Sequence, residues 1–106
     1  MIDEIEVQKL RDAVETQYVC TATFAECTPV TERFERKKVW RGVVYVFDIT
    51  GHPRATKAYA WSSPIDGSNK RRVIALLHQP PVTSPEEAVV EAVFAEQKQR
   101  QAKSNE

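Results

Sequence analysis

The sequence predicts an α+β domain: a four-stranded antiparallel β-meander with N- and C-terminal helices packed on one face, in the order α-β-β-β-β-α. Three observations carry this. Residues 39–47, Val-Trp-Arg-Gly-Val-Val-Tyr-Val-Phe, are rich in β-branched and aromatic side chains and largely apolar on both faces, as a central strand requires. Short turns punctuated by Gly, Pro, Asp and Asn separate the apolar runs that follow, which favours antiparallel neighbours. Near both ends of the chain, apolar residues recur at three- and four-residue spacing, the pattern of amphipathic helices.

The elements follow in order. Asp3 with Glu6 makes a loose capping pattern, and Val7, Leu10, Val14 and Tyr18 form one stripe, so the first helix is expected at about 4–17. Val19 to Cys27 alternates small polar and apolar residues and reads as strand one, interrupted by Thr28-Pro29. Thr31 to Lys38 is either a long hairpin loop or a twisted extension of the two strands. Strand two is Val39 to Phe47, and Asp48 to Pro53 is a turn by composition. Strand three is expected from about Arg54 to Ser62 and strand four from Arg71 to His78, with a turn at Ser63 to Asn69 between them. Ser84 can cap the second helix, with Pro85 at its first position and Glu87 three residues after the cap. Val89, Val90, Val93 and Phe94 supply its stripe. Residues 1–96 thus make one domain, and the polar segment 97–106 reads as a disordered tail.

Charge is balanced overall, 15 bases against 15 acids, but it is not evenly spread. Residues 1–19 hold five acids and two bases, and residues 84–96 hold four acids and no base. Residues 20–83 hold ten bases and five acids. A basic middle therefore sits between acidic ends. No apolar run approaches the roughly 20 residues of a membrane span, and the acidic N-terminus lacks the basic and apolar regions of a signal peptide. A cytoplasmic location without membrane contact is the default. Cys20 and Cys27 are an odd number of residues apart, on opposite faces of one regular strand, so reduced, buried thiols are expected.

Placing small Ala58 and Ala60 beneath the helices, with Val44 and Val46, leaves Val43, Tyr45, Phe47, Tyr59 and Trp61 on an uncovered face. Such a face can close on a protein partner or on a second copy of the chain as a homodimer. It can also stack the bases of a single-stranded nucleic acid, with Arg41, Lys57, Arg71 and Arg72 for the phosphates. Glu86 and Glu87 open the last helix, where they would repel a duplex. The expectation is a small non-catalytic binding domain acting through an aromatic sheet face or a sheet edge, with nucleic-acid binding as the alternative. A small enzyme is the third reading, with no constellation behind it. Two histidines and two cysteines match no zinc spacing, there is no glycine-rich phosphate loop, and neither metal nor cofactor is expected.

Overall fold

The computed structural model describes residues 3–34, 38–64 and 69–104. The chain runs α1 (Glu4–Tyr18), β1 (Thr21–Phe34), β2 (Lys38–Thr50), β3 (Lys57–Pro64), β4 (Arg71–Leu77) and α2 (Pro85–Ser104). The strands lie in the order β1-β2-β3-β4, every neighbouring pair antiparallel. The meander between two terminal helices is the fold class that the sequence predicts.

Asp3 starts α1, its carboxylate accepting the backbone N–H groups of Ile5 and Glu6 at 3.0 and 3.2 Å. Val7, Leu10, Val14 and Tyr18 then pack on the sheet as their spacing predicts. Val19 does not begin a strand. It ends the helix in the left-handed region at φ 51, a conformation that opposes its branched Cβ, and its side chain is exposed.

Thr28-Pro29 does not interrupt β1. The strand continues to Phe34 beside β2, so residues 31–34 and 38 take the twisted extension rather than the long loop, and residues 35–37 of that segment lie outside the described residues. Proline is tolerated because β1 is an edge strand: Pro29 lies opposite Val43, and its missing N–H falls on the open side. Strand β2 likewise outruns its expected end, with Ile49 buried, and the turn begins only at Gly51 with φ 90. Strand β3 starts late because His52 organises the residues before it. Its Nδ1 accepts the N–H groups of Arg54 and Ala55 at 3.1 and 3.0 Å, holding them in a turn.

The two helices lie on opposite faces, which corrects the expected packing on one face. Residues opposite each other in antiparallel strands project to the same side. Tyr45 is opposite Ala60, and Ala60 is opposite Ala75; Val46 is opposite Tyr59, and Tyr59 is opposite Leu76. Val44 and Val46 therefore cannot share a face with Ala58 and Ala60. Leu10 and Val14 of α1 pack with Phe47, Ile49, Ala58, Ala60 and Ala75. Ala88 and Val89 of α2 pack with Val30, Val44, Val46, Tyr59 and Trp61. The small alanines do admit a helix closely, but it is α1 alone.

Ser84 caps α2 as its sequence predicts: its hydroxyl accepts the Glu87 N–H at 3.2 Å. The Glu87 carboxylate accepts from the Thr83 N–H at 3.3 Å and from the Thr83 hydroxyl. The buried stripe is Ala88, Val89, Ala92 and Val93, one position behind the expected one, and Phe94 is half exposed. The backbone stays helical past Gln97 to Ser104, through residues such as Gln, Lys, Arg and Ala that favour helices. Among the described residues, no helix is long and apolar enough to cross a membrane.

Candidate functional site

Among the described residues, Tyr45, Phe47, Tyr59 and Trp61 do not form one open platform. Tyr45 and Phe47 pack with Phe24 on the α1 side, ring centroids 6.0 Å apart, whereas Tyr59 and Trp61 belong to the α2 side. Phe47, Tyr59 and Trp61 are 0%, 3% and 2% exposed. The expected face failed because it combined odd residues of β2 with odd residues of β3, and the register pairs odd with even.

What the sheet offers instead is a fork. β2 pairs with β3 only over Tyr45 to Asp48, opposite Lys57 to Ala60. Beyond that base β2 continues along β1 to Lys38, and β3 continues along β4 to Pro64. The two hairpins thus separate beyond Tyr45 and Ala60. The Ile49 N–H donates to the Thr56 carbonyl at 2.9 Å. Backbone groups alternate sides along a strand, so those of Val43 and Arg41 also face β3, into the fork. By the same alternation the Ser62 carbonyl faces β2.

An unbroken ladder would set Val43 against Ser62. Arg71 meets Ser62 instead: its Nη2 donates to the Ser62 carbonyl at 3.0 Å and its Nε to the Ser62 hydroxyl at 3.1 Å. A side chain thus occupies the acceptor that the next rung of the sheet would need. On the α2 side the fork is bridged by Trp40 and Trp61, packed edge to face with centroids 5.8 Å apart. Gly42 leaves room there, because a Cβ would lie 3.0 Å from the Trp40 ring, a tight contact that the ring would have to relieve. The Trp61 indole N–H is buried without a hydrogen-bond partner. On the α1 side the fork opens as a cleft of about 370 Å³ lined by Glu6, Arg41, Val43, Tyr45, Ser62 and Arg71, with Trp40, Gly42 and Ser63 behind. Burial, then Glu6, Cys27 and Asp3, push the Tyr45 phenol above its ordinary range and keep it neutral.

The outer edges of the sheet are guarded. β1 carries Pro29 and a bulge between Phe24 and Glu26, two devices that discourage strand pairing. On β4 the outward Ala75 carbonyl accepts from the Tyr18 hydroxyl at 2.6 Å and from the Gln17 amide at 3.4 Å. The inner edge of β2 carries neither device.

Of the sequence-predicted residues, the cleft gathers Arg41, Tyr45 and Arg71. Phe47, Tyr59 and Trp61 are core, Lys57 stands at the fork's base opposite Asp48, and Arg72 is exposed opposite Ser63. Sequence reasoning missed Glu6, Ser62 and Ser63. The hydroxyl pair ending the apolar part of β3 was the available signal.

Groups that could do chemistry are dispersed. Cys20 is half buried and Cys27 exposed, which corrects the expectation that both are buried. Burial, with Glu15 nearby, pushes the Cys20 thiol up and weakens it as a nucleophile. His78 Nδ1 is 2.6 Å from the buried Tyr59 hydroxyl, whose pKa is raised by burial and by Glu86, Glu87 and Glu26. Among the described residues, no three His, Cys, Asp or Glu side chains are grouped to hold a metal. Comparison with protein-family models, with curated proteins and with solved structures finds no match.

Proposed function

We propose that this protein is a small non-catalytic binding domain that takes an extended segment of a partner polypeptide against the inner edge of β2. The observation that carries this reading is the end of β2–β3 pairing at Tyr45, which leaves the backbone of Val43 and Arg41 turned into an open cleft. Strand addition draws its affinity from such unpaired main-chain groups. Val43 is 43% exposed, so a partner residue above it would also bury apolar area. The guarded outer edges favour this site over edge-to-edge pairing of two copies.

The test is selection from a displayed library of random peptides on the wild type and on Val43→Pro. Proline there removes the N–H that faces the fork and leaves the β1 ladder intact, because Val43 turns its N–H away from Pro29. Peptides should be enriched on the wild type and lost on the variant. In amide spectra they should perturb Arg41 to Val43 and Ser62 to Ser63. Selection that survives Val43→Pro, or no selection at all, refutes the reading. Salt-sensitive retention on heparin by a protein that selects no peptide would favour nucleic acid instead.

A further inference from the structure

We infer that the segment seated at β2 presents an aspartate or glutamate side chain to the cleft, held between Arg41 and Arg71. This rests on the strand-addition reading and adds the partner's chemistry. Main-chain pairing is blind to sequence, so selectivity must come from the side chains around the edge. Odd-numbered residues of β2 and β4 and even-numbered residues of β3 project to the α1 side, where the cleft opens. Arg41 lies one pleat outward from Val43, about 7 Å along the strand. Arg71 is anchored on Ser62, which lies across the fork from Val43. A side chain rising from the partner residue beside Val43 therefore enters between two guanidinium groups.

The Ser62 contacts fix the plane of the Arg71 guanidinium while using only part of its donor set. A guanidinium carries five N–H groups, and two of them point at Ser62. The rest suit the fork geometry of a carboxylate, the pairing in which arginine surpasses lysine. Glu6 is the acid of the lining, and it lies toward Tyr45, whose phenol it pushes up, at the base of the fork. It repels a carboxylate from that end and leaves the outer position, between the arginines, as the favourable one. The cleft's excess of one positive charge is what a single carboxylate neutralises.

The same library selection, extended to Arg41→Glu and Arg71→Lys, tests this. Wild-type selection should enrich Asp and Glu at one position of the recovered peptides. Synthetic versions with Gln there should bind at least about tenfold more weakly, a difference of about 1.4 kcal/mol. Arg41→Glu should abolish the acidic preference or turn it toward Lys and Arg, and Arg71→Lys should reduce it. Circular dichroism and melts confirm that each variant is folded; Arg41→Gln gives the same reading without a charge reversal. Peptides that are lost on Val43→Pro but show no acidic preference would overturn the carboxylate and leave strand addition standing. Peptides indifferent to Val43→Pro would overturn both.

Discussion

Leu10 and Val89 test the two-sided packing directly, since each is a fully buried anchor from a different helix. Leu10 joins α1 to the face carrying Phe47 and Ala58, and Val89 joins α2 to the face carrying Val46 and Tyr59. Leu10→Ala should cost about 2–5 kcal/mol, the range for a large-to-small change in a core. Val89→Ala removes two buried methyl groups, about 1.6 kcal/mol of transfer plus a cavity contribution, so roughly 2–3 kcal/mol. With the sheet between them the two sites share no partner, and the double variant should lose their sum to within about 0.5 kcal/mol. That sum, about 4–8 kcal/mol, approaches the whole stability of many domains, so the double variant will be only marginally folded. Urea melts followed by circular dichroism give all three values. Were both helices on one face, the two cavities would be neighbours and could merge. A coupling above about 1 kcal/mol would refute the opposed-face arrangement, and so would a neutral Val89→Ala.

Val19→Gly should stabilise the protein by about 0.5–1 kcal/mol in thermal melts, since the left-handed conformation costs a branched residue about 1–2 kcal/mol and glycine's looser unfolded chain returns part of it; a destabilised variant would show the strain is absent. His52→Ala should cost about 1–2 kcal/mol by removing the acceptor for two backbone N–H groups, whereas His52→Asn, which keeps an acceptor oxygen at similar reach, should be nearly neutral. Equal losses in the two His52 variants would disprove that role. All three tyrosines have raised pKa values, with burial the first cause. The folded state therefore holds these protons more tightly than the unfolded state. The stability they contribute is fully present below about pH 10 and is lost as pH rises through the folded values. Tyrosinate absorbance should thus appear late and together with unfolding; ordinary titration of a chain that stays folded would contradict this. Trp61→Phe removes a buried N–H that has no partner, a relief of about 1–3 kcal/mol that offsets the smaller ring, so its net effect in urea should stay within about 1 kcal/mol. A loss above about 3 kcal/mol would mean that the indole N–H is satisfied after all.

The elements were legible in the sequence because their signals are local. Asp3 and Ser84 act within three residues of themselves, and the Val7-Leu10-Val14-Tyr18 stripe needs only helical period. The strand boundaries were less legible where tertiary placement overrides propensity. Proline reads as a break, yet Pro29 sits in a strand because that strand has an open side. Asp48-Ile49-Thr50 reads as a turn, yet it stays extended because Ile49 fills a space beneath α1. The faces were not legible at all. Strand composition states which residues alternate, but only register states which alternating set of one strand joins which set of the next. A shift of one residue exchanges the whole assignment.

The candidate site lies in the part of the fold that this same freedom of register controls. Arg41 and Arg71 stood out as bases flanking aromatic strands, but they come together through an interruption of the ladder that no single strand encodes. Three contacts mark it. Arg71 reaches back to the carbonyl of Ser62, Gly42 leaves room for the Trp40 ring, and Trp40 meets Trp61 on the opposite face. The tryptophan pair holds the hairpins at one distance while the arginine keeps their backbones from closing. A fork braced on one face and wedged on the other keeps the Val43 edge open without leaving it loose. An edge held ready in this way spares a binding segment part of the ordering cost that a mobile loop would impose. This is why the proposal rests on the inner edge of β2 rather than on the aromatic rings that the sequence first brings forward.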